Sequence, residues 1–365
     1  MDIIPPAKPI FSKEMEEAAI NALRNEKFIL GESVYKFEEE FAKYIGTNYA
    51  VSVSSGTNAL HLAQVAANLP IGGEVITVAS SYIATANSIL HANGTPVFCD
   101  INDEYLIDVN QIPLKINKRT KGIMPVHLYG YPADIDEIND IANKKNLFVI
   151  EDCAQSHGAL YKGKMTGILS NMGCYSFYST KNMTVCGDGG MVTTNNEKLA
   201  DKIKLLRNHG QYPKDVHTLV GYTARLNTVN AAIGRVQLKH LPKWIESRRN
   251  VAKRYYKLLS DVDDITLPPG DTKDKKPSYH LFEIKTKKRD TLLKFLRDNG
   301  IICLIHYPIP IPYQPIYKKL FGFKEGGFPK SEELSKQAMD LPMFPELNDN
   351  QIKYISEKIH EFFNR

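Results

Sequence analysis

A chain of 365 residues, 43% hydrophobic, is long enough to bury a sizeable core, which excludes a disordered protein and suits one large and one small domain. The formal net charge of +5 is spread along the chain in short mixed runs, which excludes a nucleic-acid-binding arm. Five cysteines at 99, 153, 174, 186 and 303 form no CxxC pair, and no apolar run reaches the length of a membrane span, so a zinc framework, a disulfide scaffold and a membrane helix are all excluded.

In chain order, the Pro-rich opening MDIIPPAKPIF lacks a basic segment followed by an apolar run, and a soluble cytoplasmic protein is expected. SKEMEEAAINALRN reads as a helix with Ser12 as N-cap. From Tyr49 the rhythm becomes βα. YAVSV is a short apolar strand, and SSGTNALHLAQVAANL is a turn that opens a helix. EVITV, PVFCD, GIMPV and LFVIED read as strands, with YIATANSILHAN and DIDEINDIANKKN as helices between them. GMVTT is a further strand, and EKLADKIKLLRN a further helix. This alternation predicts an α/β fold with a mostly parallel sheet covered on both faces.

NTVNAAIGRVQLKHL reads as a long helix that Pro242 interrupts, with KWIESRRNVAKRYYKLL continuing beyond it. HLFEIKT, RDTLLKFLRDNG, ICLIHYP and the last helix NDNQIKYISEKIHEFFNR suggest a smaller α+β unit. The boundary is placed near residue 240, giving a large domain over 1–240 with its N-terminal arm and a small C-terminal domain over 241–365.

In a parallel sheet, ligands bind where the strands end. After YAVSV come Ser54, Ser55, Gly56 and Thr57 at a helix start, an arrangement that suits a phosphate, although an ordinary capped turn reads the same way. No GxGxxG or GxxxxGK[ST] follows a strand, so dinucleotide and Walker-type sites lack support. After LFVI come Asp152 and Gln155. Asp152 reads either as a cap or as the partner of a protonated ring nitrogen, and Gln155 offers a neutral amide nearby. His157 reads as packed near the site rather than catalytic, and His127 as either site lining or core. Tyr82 follows EVITV, where an aromatic ring can cover a flat ligand. Lys181, in YSFYSTKNMTVCGDGG, stands apart from other charges, close to Ser176 and to a glycine-rich turn. A phosphate cradle, a strand-end acid, an aromatic cover and an isolated lysine together match pyridoxal phosphate, which forms a Schiff base with lysine.

At these residues the chain resembles a known family. ILGESVYKFEEEFAKYIGTNYAVSVSSGTNALHLA, SYIATANSI, VHLYGYPADIDEI, VIEDCAQSHGALYKGKMTGILSNMGCYSFYSTKN, GDGGMVTT, ARLNTVNAAIGRVQL and LPMFPELNDNQIKYISEKI resemble the DegT/DnrJ/EryC1/StrS sugar aminotransferases of the type I aspartate-aminotransferase fold. The resemblance spans nearly the whole chain. It implies a large cofactor-binding domain with a seven-stranded sheet, and pyridoxal 5'-phosphate bound to Lys181. Asp152 is expected on the pyridine nitrogen, Gln155 on the phenolic oxygen, Gly56, Thr57 and Ser176 at the phosphate, and Tyr82 stacked on the ring. A homodimer with shared sites is implied, in which GYTARLN brings Thr223 and Arg225 to the partner's site. His306 and Tyr307 fall at the substrate side.

The implied reaction is transamination of a nucleotide-linked 3- or 4-keto hexose with an amino acid donor, glutamate in most of the family. Two alternatives stand beside it. One is another reaction of the same cofactor, such as sugar dehydration or aromatic amine formation; the family's dehydratases carry His in place of the lysine, so Lys181 argues against dehydration. The other is a cofactor-binding regulator without turnover. Two departures from the family occur. Thr223 stands where Asn is usual, and Pro312 stands where His is frequent.

Overall fold

The computed structural model describes residues 3–364. Seven strands form the main sheet: β1 (Tyr49–Val53), β2 (Glu74–Val78), β3 (Thr95–Cys99), β4 (Thr120–Met124), β5 (Phe148–Asp152), β8 (Met172–Ser176) and β9 (Gly190–Thr194). Between β5 and β8 lie two short strands, β6 (Leu160–Tyr161) and β7 (Lys164–Met165), which join β10 (Lys275–Lys276) in a small sheet of their own. The main sheet has the order β1-β9-β8-β5-β4-β2-β3. β2, β3, β4, β5 and β8 pair in parallel, and β9 runs antiparallel to both β1 and β8. Six strands therefore point their carboxyl ends the same way, and only β9 opposes them.

The two-residue period of a strand divides the sheet's side chains between two cores. On one face Val51, Val53, Ile150 and Val192 pack with Leu60 and Ile203, from helices Gly56–Ala66 and Glu197–Leu206. On the other, Ala50, Tyr175 and Met191 pack with Phe37, Phe41, Leu241 and Ile245. A second, two-stranded sheet pairs β11 (Phe282–Lys285) with β12 (Ala338–Leu341), and helices Arg289–Asp298 and Asp349–Phe363 lie in the same C-terminal region.

The interruption expected at Pro242 does not occur. One helix runs from Thr228 to Leu259 with Pro242 inside it, a length of about 48 Å at 1.5 Å per residue. Proline removes one amide donor from the helix. Leu241 and Ile245, buried on the sheet to either side of it, hold the helix in place. The expected boundary at 240 thus falls within a continuous helix, and residues from both sides of it share one core, among them Ile76, Tyr129, Tyr255, Phe282 and Ile355. The N-terminal arm crosses over as well: Ile4 bridges Ile301, and Met343 N donates to Pro6 O at 3.1 Å. Among the described residues, no helix is long and apolar enough to cross a membrane.

β1 is fixed by a buried ion pair. Glu38 Oε1 accepts from Ser52 N at 2.9 Å and from Ser52 Oγ at 2.7 Å, and it pairs with Arg207. Arg207 also donates to Ser52 O at 2.7 Å. Removing one member of a buried pair strands the other charge, at a cost of about 3–5 kcal/mol. Arg207→Met is therefore expected to lower the unfolding free energy by about that amount in urea titrations, and Glu38→Gln added to it should restore most of the loss. A loss under about 1 kcal/mol in the single variant would show that the pair does not anchor β1.

Candidate active site

A pocket of about 360 Å3 opens where the parallel strands end, and it is lined by every site residue expected from the sequence except Thr223 and Arg225. Its floor is the start of helix Gly56–Ala66. Ser55 caps this helix, its Oγ accepting from Asn58 N at 3.1 Å. The amides of Gly56 and Thr57 have no acceptor among the described residues, so they point free donors and the positive helix end toward the pocket. Gly56 must be glycine: a Cβ there would come within 2.6 Å of the Ser176 Cβ, because the start of this helix packs directly against the last residue of β8.

Asp152 closes β5. Its Oδ2 accepts from Thr85 Oγ1 at 2.8 Å and its Oδ1 from Ala154 N at 3.1 Å. Burial pushes this carboxyl up from its ordinary range, while the two hydrogen bonds and the Lys181 charge oppose the shift. Lys181 sits in the turn after β8, its amide donating to Tyr178 O at 2.9 Å. Met183 and Val185, fully buried, anchor the segment that follows. The Lys181 amine has no hydrogen-bond or ion-pair partner among the described residues, and burial lowers its pKa to about 8, with Asp152 pulling the other way.

Gln155 is oriented by its neighbours. Tyr129 N donates to its Oε1 at 2.7 Å, which leaves its Nε2 to donate to Tyr307 OH at 2.5 Å. The Tyr307 ring stacks on Tyr129, with centroids 6.2 Å apart and planes 10° from parallel. Tyr82, 60% exposed, forms the outer wall, 6.4 Å from Tyr307. His306 lines the same side, its Nδ1 2.7 Å from Asp340 Oδ1.

The residues left open or unnamed by the sequence now separate. His127 belongs to the core. Its Nδ1 accepts from Ala133 N at 3.0 Å, so its Nε2 carries the hydrogen and donates to Glu151 Oε2, also at 3.0 Å. Glu151 collects further donors from Gly167, Leu169 and Ser170, which satisfy this buried acid without any cation. His157 packs between Tyr175 and Phe177 with both ring nitrogens unpartnered, and burial lowers its pKa to about 3. Pro312 is buried in a short turn away from the pocket lining. Thr85, Tyr178 and His280 line the pocket and were not singled out from the sequence. Thr85 has a readable signal in its place in the first turn of helix Ala84–His91, which follows the strand-end segment carrying Tyr82.

Thr223 and Arg225 lie outside this chain's pocket. Thr223 is exposed, its hydroxyl 3.1 Å from His209 Nε2. Arg225 donates to Asn208 Oδ1 at 2.8 Å, and its Nε has no partner.

The family model of the DegT/DnrJ/EryC1/StrS aminotransferases matches residues 9–360. The chain belongs to this family. It is 41% identical to a pleiotropic regulatory protein of Geobacillus stearothermophilus, over 98% of this chain and 95% of the relative. It is 35% identical to the dTDP-3-amino-3,4,6-trideoxy-alpha-D-glucose transaminase of Streptomyces venezuelae, over 96% and 93%. The crystal structure of S. venezuelae DesV in complex with a ketimine intermediate superposes with a TM-score of 0.94 at 35% identity, covering 96% of this chain and 95% of that one. The chain is a pyridoxal-phosphate-dependent aminotransferase. The residues of the pocket fit this cofactor: free helix-end amides for a phosphate, a buried acid for a pyridinium, and an unpartnered amine for an aldehyde.

The Lys181 environment gives a measurable consequence. In cofactor-free protein, competitive acylation with acetic anhydride followed by peptide mapping should return a pKa of about 8 for Lys181, below the ordinary lysine range. Asp152→Asn removes the charge that supports the ammonium, so the value should fall further. A Lys181 value unchanged in that variant would mean that the two groups do not interact.

Proposed function

We propose that this aminotransferase transfers an amino group from an amino acid, L-glutamate, to a 3- or 4-keto hexose carried on a nucleotide. The observation that carries the reading is the unpartnered Lys181 amine in a pocket that also holds a buried carboxylate and a free helix N-terminus. The substrate class is supported by the nucleotide-sugar transaminase named among the relatives.

In this reading the bound cofactor supplies a protonated ring that withdraws electrons from the carbon undergoing proton transfer. Gly56, Thr57 and Ser176 hold its phosphate, and Asp152 keeps the ring nitrogen protonated by favouring its charged form. Gln155 donates to the phenolic oxygen, and Tyr82 covers the ring. Lys181 binds the cofactor covalently at rest. When free, its amine would take up a proton from the substrate carbon and hand it back, a role that suits a pKa of about 8. His306 and Tyr307 face the substrate. Thr223 and Arg225 complete the site of a partner copy in a homodimer, a reading supported by their position outside their own pocket and by the two-fold symmetry usual in dimers.

The name of the regulatory relative favours a second reading, a cofactor-binding regulator without turnover. One spectrum separates the two. The loaded enzyme should lose its visible absorption band when L-glutamate is added, and a band unmoved by any amino donor would favour the regulator. Borohydride reduction before digestion should place the label on Lys181 alone. Asp152→Asn should keep the cofactor yet lose turnover by about 100-fold or more, as expected when a buried charge contact is removed from the reacting centre. Near-normal turnover would leave Asp152 as a cap only.

The shared site is tested by complementation. Lys181→Ala and Arg225→Ala should each be nearly inactive alone. Random reassortment makes about half the dimers mixed, each with one intact site, so about a quarter of wild-type activity should return. No recovery after confirmed subunit exchange would mean that both residues act within one chain.

A further inference from the structure

β11 and β12 set Glu283 and Asp340 directly opposite each other in an antiparallel pair, on one face of the two-stranded sheet. Like charges so placed repel, and both residues are buried, at 0% and 1% exposure. Neither carboxylate oxygen of Glu283 has a hydrogen-bond partner. Asp340 does have one: His306 Nδ1 at 2.7 Å, on a ring that lines the pocket. An atom of each of the three side chains lies within 4.8 Å of the others. Leu304, two residues before His306, bridges Asp340 through the backbone, so the histidine is tied to the same small sheet.

Two buried anions facing one imidazole leave a negative charge uncompensated, which a protein relieves by protonating one of them. The surroundings offer little else. The phenols of Tyr105, Tyr129 and Tyr307 and the Cys303 thiol are all pushed upward by burial and stay neutral. His280 is pushed down by burial and stays neutral too. Arg289 is the one other cation acting on Glu283, and it donates to Asp290 and to Ser335 O. Burial and the Asp340 charge accordingly push the Glu283 carboxyl well above its usual range. A metal ion is a poor occupant here. At 2.7 Å from Asp340, Nδ1 holds a hydrogen toward the carboxylate and has no lone pair to give.

We propose that Glu283 and Asp340 share one proton and act as positioning residues for His306, holding it as the group that meets an anionic part of the substrate, a carboxylate or a phosphate. Glu283 is the neutral partner and Asp340 the charged one. The carboxyl pair carries a single negative charge while the proton is shared, and a second one when that proton leaves at alkaline pH. Anion binding at His306 then weakens. The identity of the anion rests on the proposed function; the state of the carboxyl pair does not.

Infrared difference spectra of the holoenzyme against Glu283→Gln at pH 7 should show a protonated-carboxyl band in the wild type that the variant lacks. Its absence would overturn the proposal whatever the enzyme's substrate. If the variant does not fold, the wild-type band followed from pH 7 to pH 10 decides alone. A band that is lost as pH rises supports the pair, and no band at pH 7 overturns it. Calorimetry with glutarate and with UDP then separates carboxylate from phosphate. One of them should bind about tenfold more weakly at pH 9.5 than at pH 7 in the wild type, and by less than about twofold in Glu283→Gln. Equal pH dependence in both proteins for both ligands would overturn the proposal. So would stoichiometric Zn2+ binding that Glu283→Gln abolishes.

Discussion

A half-buried amine and a buried carboxylate at the carboxyl edge of one sheet set the terms for the rest of this structure. Lys181 and Asp152 each pay a desolvation cost, and burial shifts both toward their neutral forms. The fold holds them there by over-determining both. Asp152 ends a strand inside the sheet and is gripped by Thr85 and by the Ala154 amide. Lys181 follows the end of β8, on a segment pinned by Phe177, Met183 and Val185. The six co-directional strands are what allow β1, β5 and β8 to deliver the cradle, the acid and the lysine to one edge. Gly56 is the tightest consequence, since the helix start comes too close to Ser176 at the end of β8 for any side chain between them.

What could be read from the sequence follows from how local the information is. EVITV and GMVTT are buried at every position, and their β-branched runs announced the strands. β8, MGCYS, is just as interior, but its small and polar residues hid it; its partners Ile150 and Met191 supply the bulk. Pro242 was read as a break because proline costs a helix one hydrogen bond, and the sheet beneath that helix, invisible to a local reading, overrides the cost. That Lys181, Asp152 and Gln155 stand out was legible because isolation and strand-end position are sequence properties; that they line one pocket is the fold's contribution. His127 could not be settled that way. Whether it was core or site depended on Ala133 and Glu151, which only the fold brings to its two nitrogens. Glu283 and Asp340 were invisible for the same reason, being joined by a cross-strand register spanning three α-helices and the loops between them.

The pocket divides its work between the two sheets. The large sheet supplies the groups that suit the cofactor: the positive helix end, the amine and Asp152. The small sheet reaches the opposite wall through His306 and Tyr307. Between the walls runs a row of tyrosines, from exposed Tyr82 through Tyr307 and Tyr129 to buried Tyr105. Gln155 joins the two systems, accepting from the Tyr129 backbone on one side and donating to Tyr307 on the other.

This coupling constrains how the substrate side can change. Tyr307 has a positive φ of 56°, and Tyr129 one of 58°, conformations that ordinary side chains adopt at some cost. Each is held by the other's ring and by Gln155, so neither can shift without releasing the Gln155 amide from one of its two hydrogen bonds. Substitutions that widen the pocket are therefore tolerated better at Tyr82, which is 60% exposed and carries no such tie, than at Tyr307. Specificity can vary on the outer wall while the inner wall, fixed by hydrogen bonds and stacked rings, keeps the chemistry constant.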